Sequence, residues 1–121
     1  MARNSCYNRY MRILEQKIKR SELKNSEFVM DEVMVKGAVD IKRGLLAIDA
    51  NLHADLERML LENGSDQFDL WGINLYFEGE LVEFDSMINI RPAQGNRSRD
   101  VEDEATREKI IEIVGNWVEN D

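Results

Sequence analysis

Two stretches rich in valine and leucine, Met34 to Ile41 and Leu45 to Asp49, are separated only by Lys42-Arg43-Gly44. Glycine there can adopt the positive φ of a tight turn, so the segment reads as a β-hairpin. An apolar antiparallel pair must bury at least one of its faces, and that requirement sets the architecture of the rest. A second pair follows: Leu70 to Phe77 and Leu81 to Ile90 meet at Glu78-Gly79. In the first of these, Trp71, Ile73, Leu75 and Phe77 alternate with Gly72, Asn74 and Tyr76. In the second, Val82, Phe84, Ser86, Ile88 and Ile90 alternate with Glu83, Asp85, Met87 and Asn89. Period two sends the alternating sets to opposite sheet faces.

Helical periodicity fills the gaps between strands. Ser21 offers an N-cap for Glu22 to Val33, with Leu23, Phe28, Val29 and Val33 on one side. Asn51 or Asp55 can cap Ala54 to Glu62, which Asn63-Gly64 ends. The last helix runs from Glu104 to Val118, and its stripe of Ile110, Ile111, Ile113, Val114, Trp117 and Val118 faces the sheet. Ile13, Leu14 and Ile18 read as a short first strand. The order is β-α-β-β-α-β-β-α, an α+β fold with a mainly antiparallel sheet and helices packed on one face. Its first six elements fit the ferredoxin-like split unit, with additions. Residues 1–10 are polar and read as a disordered tail, leaving 11–121 as a single domain, which suits a chain of 121 residues.

A formal charge of -8 argues against extended nucleic acid and anionic membrane as partners. The first ten residues contain no apolar signal segment and no run is long enough to span a bilayer, so the cytoplasm is the expected location. The chain's one cysteine, Cys6, has no internal disulfide partner, and one histidine with one cysteine excludes a conventional structural zinc site.

Against that acidic background, residues 86–99 contain no acid, and carry Arg91, Arg97 and Arg99 with the chain's one proline. Guanidinium forks match phosphate and carboxylate oxygens two at a time. The loop therefore reads as a site for a small anionic ligand, with Arg91, Arg97 and Arg99 holding the anion and Asn89, Gln94 and Asn96 fixing its orientation. The alternative is internal: the arginines pair with Asp85, Asp103 or the other acids that open the last helix. Glu83 and Asp85, two apart on a strand, share a face and could hold Mg²⁺, which with the arginines makes a metal-dependent phosphoester hydrolase the second functional reading. Alternating acids are equally the solvated face of a strand. His53 is a candidate general base, oriented by Asp49 or Asp55, or else a capping histidine. Ser86 lacks the nucleophile elbow and faces inward. Asn74, beside Tyr76, lines a pocket or meets solvent. A third reading is an interaction module whose loop meets an acidic protein partner. No phosphate-binding P-loop, dinucleotide glycine fingerprint or RNA-recognition pattern is present.

The segments Leu52-His53-Ala54-Asp55, Asp69 to Tyr76, Phe84 to Pro92 and Gln94 to Arg99 resemble a family of small prokaryotic proteins known as a domain of unknown function. A weaker likeness covers Met34 to Gly44. The resemblance implies an isolated single domain and brings no activity, cofactor or catalytic residue with it.

Overall fold

The hairpin forms where the valine pattern places it, as β3 (Met34–Asp40) and β4 (Leu45–Ile48). Gly44 takes φ 71° in the turn and its N–H donates to the Asp40 carbonyl at 2.9 Å. Asp40 is fully buried, and its carboxylate accepts from the Lys42 and Arg43 amides and from the Ser65 hydroxyl, which closes the turn from inside. This computed structural model describes residues 11–121, so the expected tail at 1–10 and Cys6 lie outside the described residues.

The larger sheet also contains β1 (Arg12–Ile13), β5 (Leu70–Tyr76) and β6 (Val82–Glu83), in the order β1-β4-β3-β5-β6. Every pairing in it is antiparallel. A ferredoxin-like unit needs parallel neighbours bridged by a helix, so the split unit expected from the element order is not what forms. The helix expected over 22–33 is absent. A 3-10 turn, Arg20–Asn25, takes its place, and Asp31 and Glu32 then adopt left-handed φ values of 53° and 65° in a tight turn bridged by Met30 and Met34. Ser21 does not cap a helix; its amide and hydroxyl donate to the Asp121 carboxylate. The single first strand is divided. Its start joins β4, while β2 (Ile18–Lys19) pairs in parallel with β7 (Val118–Glu119) at the C-terminus.

The helices α1 (His53–Glu62) and α2 (Glu104–Trp117) lie on opposite faces of the sheet rather than on one. Strand alternation explains the division. Val35, Val39, Leu46, Ile48, Trp71, Ile73 and Leu75 pack with Val101, Ile110, Ile113 and Val114 in one cluster. Ala38, Ala47 and Leu70 take the other side, where Leu56, Met59 and Leu60 of α1 cover them. The small residues Ala38 and Ala47 leave room for α1 on that face. Neither Asn51 nor Asp55 caps α1; Leu52 occupies the cap position, and among the described residues no side-chain capping bond is made there. Among the described residues, no helix is long and apolar enough to cross a membrane.

The expected strand 81–90 stops after Glu83. The Ser86 hydroxyl accepts from the Ile88 amide at 3.2 Å and starts a 3-10 turn, Met87–Asn89. A serine hydroxyl bonded two residues ahead competes with the ladder and pulls the chain out of the sheet.

Candidate functional site

The loop that leaves β6 is held by its own amides. Asn89 is fully buried, and its carboxamide accepts from the Gly72 N–H at 2.8 Å while donating to the Gly72 carbonyl at 3.0 Å and the Arg99 carbonyl at 2.9 Å. One side chain thus supplies the ladder bonds that β6 no longer offers to β5. Asn96, also buried, donates to the carbonyls of Asn89, Ser98 and Asp100 and accepts from the Glu102 amide. Gln94 donates to the Phe68 carbonyl at 3.2 Å. The Arg91 fork donates to the Gln67 and Leu70 carbonyls, and its guanidinium carbon sits 4.1 Å from the centre of the Trp71 ring. Burial lowers the Arg91 pKa, against the opposing charges of Glu57 and Asp69. Asn89, Asn96, Arg91 and Gln94 therefore turn their donors inward, onto backbone.

The other two arginines remain at the surface. Arg99 Nε donates to Asp85 Oδ1 at 2.6 Å across an exposed pair. The Arg97 guanidinium makes no hydrogen bond or ion pair among the described residues, and only its backbone amide is engaged, by Glu102. Asp103 meets no arginine among the described residues; it caps α2 by accepting from the Thr106 amide and hydroxyl, which lowers its pKa.

A different group of polar side chains gathers in front of the α1 N-terminus. His53, the first residue of α1, brings Nε2 to 2.7 Å from the Ile73 carbonyl. A carbonyl only accepts, so Nε2 carries the proton and the lone pair is on Nδ1. Neither Asp49, which pairs with Arg12, nor Asp55, which lies 3.5 Å from Arg58, orients the ring. The strand itself does. Gly72 makes this possible, because a Cβ there would lie 2.5 Å from Ser86 and 3.1 Å from the His53 ring.

Beside the histidine, Lys36, Asn74 and Glu83 are successive cross-strand partners on β3, β5 and β6, and so project from one face in one row. The amide of Asn74 donates to Glu83 Oε1 at 2.8 Å, and the Tyr76 hydroxyl donates to the same oxygen at 3.1 Å. Asn74 is 4% exposed and its carboxamide oxygen has no hydrogen-bond partner among the described residues. Lys36 is half-buried and has no ion pair among the described residues. The charges of Lys36, Asp85 and Arg99 all bear on His53, whose pKa is lowered chiefly by burial. Leu52 and Met87, adjacent in sequence to His53 and Ser86, are exposed.

The lowered pKa has a measurable consequence. Because the folded form resists protonation, the unfolded chain binds more protons below its ordinary pKa of 6.5. Stability contributed by His53 is then intact above that pH and declines as pH falls through it, levelling off once the folded histidine also protonates. His53 is the chain's one histidine, so its ring signals are unambiguous. Nitrogen-detected NMR titration is expected to find the Nε2–H tautomer and a midpoint below 6.5. A midpoint at or above the ordinary value would contradict the buried placement.

Among the described residues, no group of three His, Cys, Asp or Glu side chains is disposed to hold a metal ion. Glu83 is engaged by Asn74 and Tyr76, and Asp85 by Arg99. Sequence reasoning noted Asn74 and His53 separately and passed over Lys36. The available signal was a lysine in the middle of an otherwise valine-rich strand.

Neither the curated proteins nor the solved structures give a match to this chain. A family described as "Protein of unknown function (DUF5674)" matches residues 12–117. That span takes in the whole of the larger sheet, both helices, the loop and the row of Lys36, Asn74 and Glu83. By this match over most of its length, the chain belongs to the DUF5674 family.

Proposed function

We propose that the protein binds a small phosphorylated or carboxylated ligand in front of the α1 N-terminus, with Lys36 and Arg99 as its cationic contacts. The observation that carries this reading is Lys36: a partly buried lysine whose charge bears on His53 at the helix start, with no carboxylate partner among the described residues. Helix N-termini leave N–H groups without intrahelical acceptors, and those groups favour an anion when no side chain caps them. Arg99 is brought from the loop to the same place by Asp85, and the inward-facing amides of Asn89 and Asn96 keep it there. The loop residues first expected to grip the ligand act, in this reading, as the frame that presents one arginine.

The test is a titration with inorganic phosphate and with acetate, followed by amide NMR. Signals from His53 to Glu57 and from Lys36 are expected to move. Lys36→Met should weaken binding by about tenfold, the usual worth of a charge-assisted hydrogen bond, and rising salt should weaken wild-type binding. If neither probe moves those signals, or if Lys36→Met binds as wild type does, the reading fails.

A further inference from the structure

We infer that the ligand carries a hydroxyl close to its anionic group, and that the Asn74 carboxamide oxygen accepts a hydrogen bond from this hydroxyl. The inference rests on the anion site proposed above. Buried carbonyl oxygens are almost always paired, and Asn74 is nine-tenths buried with its oxygen unpaired. Turning the carboxamide over would not help. Its nitrogen donates to Glu83, and the reverse orientation would set the carbonyl oxygen against that carboxylate. The same Glu83 oxygen also takes the Tyr76 hydroxyl, so this neighbouring donor is already engaged. What the oxygen lacks is a donor from outside the row.

The spacing then limits the ligand. Lys36 and Asn74 are direct cross-strand partners, and adjacent strands lie about 4.8 Å apart. Side chains so paired share one face of the sheet, so a ligand that meets both the ammonium and the carboxamide holds its donor close to its anion. A 2-hydroxy carboxylate or a 2-hydroxyalkyl phosphate meets this requirement. To reach the covered oxygen, the ligand must displace a neighbouring side chain. Lys36 and Tyr76, which flank Asn74 on the same face, are only partly buried and have that freedom. A site that uses a buried acceptor in this way discriminates strongly against an analogue lacking the hydroxyl, because the acceptor is then left unpaired.

The experiment compares matched probes on the full chain: 2-hydroxyethyl phosphate against ethyl phosphate, and 2-hydroxypropanoate against propanoate. Affinities come from NMR titration, with the His53 ring and the Asn74 side-chain amide as reporters. The hydroxylated member of at least one pair is expected to bind about tenfold more tightly or better. Asn74→Ala should erase that preference, whereas Lys36→Met should weaken both members of the pair alike. The wild-type comparison stands even if Asn74→Ala does not fold. If the members of both pairs bind equally and both depend on Lys36, the anion site survives and the hydroxyl inference is overturned. If none of the probes binds, both are overturned.

Discussion

Gly72→Ala is expected to lower the stability of the fold by about 3 kcal/mol, the upper end of what overpacking a tight interior costs. The reason is spatial, since Gly72 has no left-handed φ to lose. An added Cβ would lie 2.5 Å from both Cβ and Oγ of Ser86. The Ser86 Cβ is fixed by its backbone, whose N–H donates to the Arg99 carbonyl at 3.1 Å, and its hydroxyl caps the Ile88 amide. On the other side the His53 ring is tied to the Ile73 carbonyl. Neither neighbour can withdraw without breaking a hydrogen bond, so the strand must shift or the turn must lift. Urea unfolding measures the loss. A double variant, Gly72→Ala with Ser86→Gly, removes the obstructing Cβ and should recover part of it, giving a coupling energy of about 1 kcal/mol or more between the two positions. An alanine variant within about 0.5 kcal/mol of wild type would mean that Ser86 and His53 do not sit on Gly72.

The same contact shows why some of this fold could be read in the sequence and some could not. The hairpin at Met34–Asp40 and Leu45–Ile48, the strand Leu70–Tyr76 and the helices His53–Glu62 and Glu104–Trp117 follow from periodicity, which is a local property. Residues 81–90 alternate as cleanly as β5 does, yet only Val82–Glu83 pairs. Ser86 and Asn89 look like ordinary members of the alternation. Their effect depends on partners elsewhere: the close approach of Gly72, and the free N–H and carbonyl of the same residue. The segment 22–33 has helical spacing, but left-handed turns at Asp31 and Glu32 follow from the bridge between Met30 and Met34, not from their own preference. The division of the helices between two faces is likewise a tertiary outcome. Alternation identifies two sets of side chains on a strand without saying which set each helix covers. The candidate site was partly visible through His53, Asp85 and Arg99. Lys36 and Asn74 join them through β3–β5 register, which no single segment encodes.

Asn89→Ala is expected to cost about 2–5 kcal/mol, because it leaves two buried backbone groups without partners, each worth about 1–3 kcal/mol, with some relief where water enters. Those groups are the Gly72 N–H and the Gly72 carbonyl; the Arg99 carbonyl loses one of its two donors and keeps the Ser86 N–H. Asn89→Asp separates this explanation from a simple loss of volume. The shape is kept and the Gly72 N–H retains its acceptor, but a carboxylate now faces two carbonyls. It should therefore be at least as damaging as alanine at neutral pH. Protonation would restore one donor, so the introduced carboxylate has a raised folded pKa, and the penalty relative to wild type should shrink as pH falls. Denaturant unfolding of both variants at neutral and mildly acidic pH checks the sign; an aspartate penalty that grows on acidification would refute the assigned bonding. The effect also reaches the candidate site. Asn89 fixes the Arg99 backbone, and Arg99 meets Asp85 beside His53 from that fixed position. Loss of Asn89 should therefore reduce stability and anion affinity together, whereas Lys36→Met, on a half-buried side chain without an ion pair among the described residues, should reduce affinity and leave unfolding nearly unchanged.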